Sequence, residues 1–167
     1  MSRLETRLAA LTRIATGAVF FAAGYGKVTG EFVRGGFARS ASEMVGHSWP
    51  FWGAFLRSAV LPNASVFGWI VALGELAVGI GLLLGFLTRV AATGGALLTL
   101  GILLGQSYVR GSSWNEWITA GLTTKFALLL LVLLAVTPVG RTWSLDARIA
   151  NRGRVWSKAP RTTTPPY

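Results

Sequence analysis

The segment Phe67–Val90 reads FGWIVALGELAVGIGLLLGFLTRV, and it decides the fold. It is long and apolar enough to cross a bilayer, for which about 20 predominantly apolar residues suffice. It nevertheless carries one carboxylate, Glu75, near its middle. Because a charged side chain at the centre of a bilayer is costly, we expect Glu75 to face protein or water and to have a partner. The segment therefore predicts a membrane helix with a candidate functional residue at mid-depth.

The composition extends this interpretation to the whole chain. Of the 167 residues, 52% are hydrophobic and only 13% are charged, which is typical of a membrane-embedded protein and not of an ordinary soluble domain. We predict an all-α membrane protein, a four-transmembrane-helix bundle, as a single domain over residues 1–156. The predicted spans are about 8–28, 65–88, 91–109 and 117–137, and they end in a basic C-terminal tail whose last residues, 157–167, are disordered.

The long connection between the first and second spans is rich in Trp, Phe, Gly and Pro, with Trp49-Pro50-Phe51-Trp52 at its centre. It is too polar to span a bilayer. Aromatic residues of this kind are typical of the membrane interface, so we predict one short interfacial helix at 52–61.

Several kinds of chemistry are excluded by the absence of residue types. The chain has no cysteine, which excludes thiol, disulfide, iron–sulfur and Cys-type zinc sites. Its single histidine, His47, excludes bis-His haem ligation by this chain alone. We therefore expect no metal and no haem from this chain, and any redox cofactor would be diffusible, ligated otherwise or held by a partner.

The formal net charge of +10 does not indicate nucleic-acid binding. Six of the sixteen basic residues follow the last apolar run, where anionic lipid headgroups are the nearer partner. Lys and Arg are also concentrated at the N-terminus, in the turn between the second and third spans, and in the tail. By the positive-inside rule we expect a multi-pass protein of a bacterial-type cytoplasmic (inner) membrane, with both termini cytoplasmic.

Three basic residues of the predicted spans are candidates for the site, and two of them, Lys125 and Arg13, are candidate partners of Glu75. In the first span Arg13 and Lys27 lie on one helical stripe with Gly17 and Gly24, and those glycines would allow a neighbouring helix to approach closely. Arg13 and Lys27 would alternatively extend to the two membrane surfaces.

Depth ranks the two candidate partners. Lys125 in the fourth span lies about 12 Å below one membrane surface, and Glu75 lies about 15 Å below the same surface. Arg13 lies about 8 Å below the opposite surface. We therefore rank Glu75–Lys125 as the first ion-pair candidate and Glu75–Arg13 as the second.

Several stretches resemble a known family: RIATGAVFFAAGYGKV from Arg13, VLPNASVFGWIVALGELAVGIGLLLGFLTRVAA from Val60, and VGRTWSLDARIANR from Val139. The chain resembles the DoxX/DoxD-like membrane proteins, four-span bundles named after a subunit of thiosulfate:quinone oxidoreductase. The positions that match the polar landmarks of the family are Arg13, Gly24, Lys27, Glu75, Arg89 and Asp146.

The resemblance implies a quinone-linked oxidoreductase subunit, which transfers electrons to a membrane quinone and in some relatives takes part in the oxidation of sulfur compounds. Under this hypothesis Glu75 relays protons, and Lys125 or Arg13 stabilises the reduced anion, so these three are the candidate catalytic residues. We place the quinone near Lys27, Trp69 and Gly24.

A second hypothesis is a non-catalytic accessory subunit that stabilises a larger respiratory or photosynthetic membrane complex, with the buried ion pair locking the bundle. Either hypothesis implies partner membrane subunits, and the resemblance leaves open whether the chain itself catalyses a reaction.

Overall fold

The computed structural model describes residues 3–106, 113–119, 121–137 and 146. These residues form helices: α1 (Arg3–Thr29), α2 (Gly36–His47), α3 (Pro50–Phe55), α4 (Ala64–Leu84), α5 (Thr88–Gln106), α6 (Trp114–Thr119) and α7 (Leu122–Val136). A π-helical turn at Leu56–Val60 and a 3₁₀ turn at Leu61–Asn63 connect α3 to α4. The predicted all-α class is confirmed, and the predicted tail at 157–167 lies outside the described residues.

Three helical stretches of the described chain are long and apolar enough to cross a membrane, namely Leu4–Arg34, Pro50–Leu84 and Thr88–Gln106. The fourth apolar helix, α7, has 15 residues and is therefore about 22 Å long. It begins later than the predicted span at 117–137, because Gly121 has a φ of +64° and separates α6 from α7. The arrangement is a helical membrane bundle with three long helices and one shorter apolar one.

Helices α1 and α4 lie unusually close together. A Cβ atom added at Gly24 would lie 2.4 Å from the backbone nitrogen of Leu76, and one added at Gly79 would lie 2.3 Å from that of Phe21. As the residue number rises along α1, the facing residue number falls along α4, so the two helices are antiparallel. The close approach predicted at Gly17 and Gly24 is confirmed, since only hydrogen side chains fit between the two backbones.

The connection between α1 and α4 is more ordered than the sequence suggested. We predicted one short helix at 52–61, whereas the structure has two helices, α2 and α3, at Gly36–His47 and Pro50–Phe55. Ala41, Leu56 and Val60 form a buried cluster there, against which Phe37, Met44, Trp52 and Phe67 pack. The backbone N–H of Trp49 donates to the carbonyl oxygen of Leu104, 3.3 Å away, which fixes the connection to the end of α5. We refer to this side of the bundle as the loop end.

The opposite side of the bundle, the turn end, carries the short connection between α4 and α5. Gly85 ends α4 with a left-handed φ of +62°, as a helix C-terminus commonly requires. Asp146 lies against this connection, and its backbone N–H donates to the carbonyl oxygen of Gly85, 3.1 Å away. The first residues of α1 and residue 146 therefore lie at the same end of the bundle.

Candidate functional site

Glu75 forms an ion pair with Lys27. The Nζ atom of Lys27 lies 2.5 Å from both carboxylate oxygens, Oε1 and Oε2. The Glu75 side chain is 5% exposed and that of Lys27 is 26% exposed. The ammonium group also lies 5.1 Å from the centroid of the Phe32 ring, within the range of a cation–π contact. The pair is therefore buried on its acidic side and accessible on its basic side.

The register of α1 against α4 brings the two residues together. Gly24 lies against the backbone of Glu75 and Leu76, and Lys27 follows it by three residues, or about 4.5 Å along the helix axis. A lysine side chain is long enough to reach back over that distance. The glycine contact that brings the helices close thus also sets the depth at which the ammonium group meets the carboxylate.

The predicted partners of Glu75 were wrong. We ranked Lys125 first and Arg13 second, but the cation on Glu75 is Lys27. The Nζ atom of Lys125 instead donates to the carbonyl oxygen of Ile118, 3.3 Å away. Arg13 lies eleven residues, or about three turns, before Gly24, in the turn-end half of α1. The error arose because depth was counted from predicted span ends, whereas the glycine contacts set the register between the helices.

Arg13 belongs to a second polar cluster, at the turn end. It is completely buried, and the negative charge of Asp146 lies close enough to attract its guanidinium group. The Asp146 carboxylate accepts hydrogen bonds from the backbone N–H groups of Leu87 and Thr88, at 3.0 and 3.2 Å, and from the Thr88 hydroxyl at 3.2 Å. Asp146 therefore caps the N-terminus of α5, where a negative charge is favourable.

A cavity of about 490 Å³ lies at the loop end, and Lys27 forms part of its wall. The wall is otherwise mostly aliphatic and aromatic, and its other polar side chains are Ser40 and Gln106. Its residues come from α1 to α5 and from the turns between them: Lys27, Phe32, Phe37, Ser40, Ala41, Met44, Trp52, Phe55, Leu56, Val60, Phe67, Ile70, Val71, Leu97, Leu98, Gly101, Ile102 and Gln106. We call it the Lys27 cavity.

Of the three residues that we placed near a quinone, only Lys27 lines this cavity. Trp69 is exposed on the outside of α4. Gly24 faces the backbone of Leu76 in the contact between α1 and α4. Glu75 does not line the cavity either. It contacts Lys27, which does.

The residues that α2 contributes to the wall were missed. Phe37, Ala41 and Met44 follow one another at spacings of four and three, which is the period of one helical face. That signal was present in the sequence but was obscured by the Gly, Ser and Arg residues around it.

A second cavity of about 470 Å³ adjoins the first. Ser40, Met44 and Gln106 line both cavities, and the second is otherwise lined by Glu43, His47 and Gly105. The Thr124 hydroxyl of α7 donates to Oε1 of Gln106, 3.4 Å away, which orients the amide group. The described residues contain no group of three or more His, Cys, Asp or Glu side chains that could hold a metal ion.

These features define an integral membrane protein: a helical bundle with an ion pair buried between two long helices and an apolar cavity beside it. A family model described as DoxX matches residues 8–105, which is more than half of the chain. The protein therefore belongs to the DoxX family. No curated protein and no solved structure matches the chain.

Proposed function

We propose that this protein is a quinone-binding membrane subunit of an oxidoreductase and that the Lys27 cavity holds the quinone head group. The observation that carries the proposal is the double role of Lys27. Its ammonium group lines an apolar cavity and is held by a buried carboxylate at the same time. A charged donor with a fixed position in an otherwise apolar wall suits a ligand with an apolar ring and a carbonyl oxygen.

The cavity suits such a ligand in size and in donors. Its volume of about 490 Å³ is within the range of small-molecule sites. Aromatic side chains such as Phe32, Phe37 and Trp52 offer faces on which a ring can stack. Lys27, Ser40 and Gln106 are hydrogen-bond donors for carbonyl oxygens. A quinone, when bound, supplies a two-electron, two-proton acceptor.

The residues of this chain would then have two roles: to stabilise negative charge on the ligand and to transfer protons to it. Lys27 donates a hydrogen bond to a carbonyl oxygen and stabilises the negative charge that develops there. Glu75 holds the ammonium group in position, and its carboxylate can take up a proton and return it through Lys27. The electrons come from a partner membrane subunit or from a reduced substrate.

The amount of quinone bound to each chain of the purified protein tests the proposal. The protein is extracted in mild detergent, and quinone is quantified per chain by solvent extraction and mass spectrometry. We expect bound quinone in the wild type, at least a tenfold loss in Lys27→Met, and a smaller loss in Glu75→Gln, where the donor remains but loses its counter-ion. Lys125→Met is the matched control, because Lys125 does not line the cavity, and it should keep the wild-type amount.

One observation favours a second candidate, the accessory subunit. The Lys27–Glu75 pair joins α1 to α4 within the chain, so it could serve only to lock the bundle. On that account the wild type carries no quinone and is retained stoichiometrically by a larger membrane complex. Glu75→Gln would then reduce assembly of the complex and leave its redox activity per assembled complex unchanged.

A further inference from the structure

The wall of the Lys27 cavity is not closed on all sides. Two of its side chains are more than half exposed: Leu97 on α5 is 66% exposed, and Ile70 on α4 is 53% exposed. A side chain that lines a cavity and is also largely exposed lies at an opening of that cavity. Both residues lie in stretches that are long and apolar enough to cross a membrane. The opening between α4 and α5 therefore faces lipid.

The side of the cavity formed by Ser40, Met44 and Gln106 is different. These three residues also line the second cavity, whose other walls include the exposed side chains of Glu43 and His47. An apolar chain that passed along these polar groups would remove the water that hydrates them, which is unfavourable. Protons and other small polar species can use that route, but a long hydrocarbon tail is poorly suited to it.

We propose that the occupant of the Lys27 cavity enters sideways from the bilayer, through a portal formed by Ile70 and Leu97, and that its hydrocarbon tail remains in this portal. The inference rests on the proposed function, and it adds the class of quinone: one with a long isoprenoid tail. A cavity of about 490 Å³ has room for a head group. A tail of many isoprene units must lie outside it, and the apolar surfaces of Ile70 and Leu97 lead directly to the lipid.

The portal is tested by the rate at which bound quinone exchanges. The variants are Ile70→Trp and Leu97→Trp, in which a larger side chain narrows the opening. Protein in lipid nanodiscs is loaded with deuterated long-tailed quinone and mixed with vesicles that contain unlabelled quinone, and the label that remains is followed by mass spectrometry. We expect exchange to slow roughly tenfold in each variant, as for a barrier raised by about 1.4 kcal/mol, with the amount bound at equilibrium changed less than twofold.

Matched controls are available on the same two helices. Leu73 on α4 is 50% exposed and Leu100 on α5 is 40% exposed, and neither lines the cavity. Leu73→Trp and Leu100→Trp should exchange quinone at the wild-type rate. If a portal tryptophan prevents folding, Ile70→Ala and Leu97→Ala replace it, and these widened portals should exchange faster than the wild type.

The outcomes separate the portal from the function on which it rests. Bound quinone that exchanges at the wild-type rate in both portal variants would overturn the portal alone. Slow exchange in His47→Trp, which narrows the polar cavity, together with normal exchange in Leu97→Trp would overturn it in favour of the polar route. A wild-type protein without bound quinone would overturn the proposed function and the portal together.

Discussion

Glu75 depends on Lys27 more than Lys27 depends on Glu75, because the carboxylate is the more deeply buried partner. Replacing Lys27 by Met leaves a buried carboxylate without its cation, and we expect a loss of about 3 kcal/mol in the free energy of unfolding. Glu75→Gln leaves a lysine that is partly exposed and lies near the Phe32 ring, so its cost should be smaller. Unfolding in detergent micelles by increasing denaturant measures both.

The double variant Lys27→Met/Glu75→Gln completes the cycle. Removing both charges leaves neither one buried alone, so the double variant should be more stable than Lys27→Met. Additive losses from the two single changes would show that the side chains do not interact across the helix contact.

Asp146 gives a second prediction at this scale. Its carboxylate accepts hydrogen bonds from the backbone N–H groups of Leu87 and Thr88, and it also attracts Arg13. Asp146→Ala removes the cap from α5 and should cost about 1 to 2 kcal/mol in the free energy of unfolding. Asp146→Asn keeps an acceptor oxygen but loses the charge, so its stability should lie between those of the wild type and Asp146→Ala. Thermal unfolding in detergent ranks the three, and equal stabilities would contradict the capping role.

The sequence identified the acidic half of the ion pair, but Lys27 was singled out only for the quinone vicinity and not as the partner of Glu75. A carboxylate within an apolar segment is conspicuous whatever surrounds it, so Glu75 could be found from composition and position. Its partner depends on how far α1 is shifted along α4, and a shift of one turn moves a facing residue by about 5.4 Å. Span ends estimated from hydropathy do not fix a shift of that size, which is why Lys125 and Arg13 were ranked as the partners of Glu75 and Lys27 was not.

At the scale of the helices, the contact between α1 and α4 depends on glycine. At Gly24 and Gly79 an added methyl group would meet backbone atoms of the facing helix, which cannot rotate away as a side chain can. Gly24→Ala and Gly79→Ala should therefore each lower the free energy of unfolding by about 1 to 3 kcal/mol. Gly24→Ala should also weaken quinone binding, since it separates α1 from Glu75.

Gly26 and Gly94 are the matched controls for this prediction. Both lie in long helices, and an added methyl group at either would meet nothing within 4 Å. Gly26→Ala and Gly94→Ala should be neutral or should stabilise the protein by roughly 0.5 to 1 kcal/mol, because alanine favours a helix more than glycine does. Equal losses in all four variants would mean that the tight contact has no special role.

Helices that bury a continuous apolar face were the easiest to predict. The segments of α4 and α5 are long and apolar, and their predicted spans lie close to the helices observed. Helix α2 was missed because its apolar residues are few and become evident only when they pack against α4 and α5. The break before α7 was also missed, since the left-handed conformation of Gly121 follows from the path of the chain and not from the residue alone.

At the scale of the whole molecule, the Lys27 cavity exists only because the connection at 30–63 folds over the ends of α4 and α5. Its wall combines residues from five consecutive helices, between Lys27 and Gln106. Local patterns predict each helix separately, but the space between helices depends on their relative positions. The cavity could therefore not be predicted from the sequence. Lys27, the charged residue of its wall, was nevertheless placed near a quinone by the family resemblance.

The bundle has two chemically different ends, and this difference predicts its orientation. The turn end carries Arg89 and the N-terminal basic residues Arg3 and Arg7, so the positive-inside rule predicts that this end faces the cytoplasm and that the loop end faces outside. Because the chain has no native cysteine, single cysteines can report this without background. Glu43→Cys and Phe86→Cys suit the two ends, since both positions are exposed. In intact cells a membrane-impermeant maleimide should label Glu43→Cys, and it should label Phe86→Cys only after the membrane is permeabilised. The opposite labelling pattern would contradict this orientation. Protons would then reach Ser40 and Gln106 from the other side of the membrane.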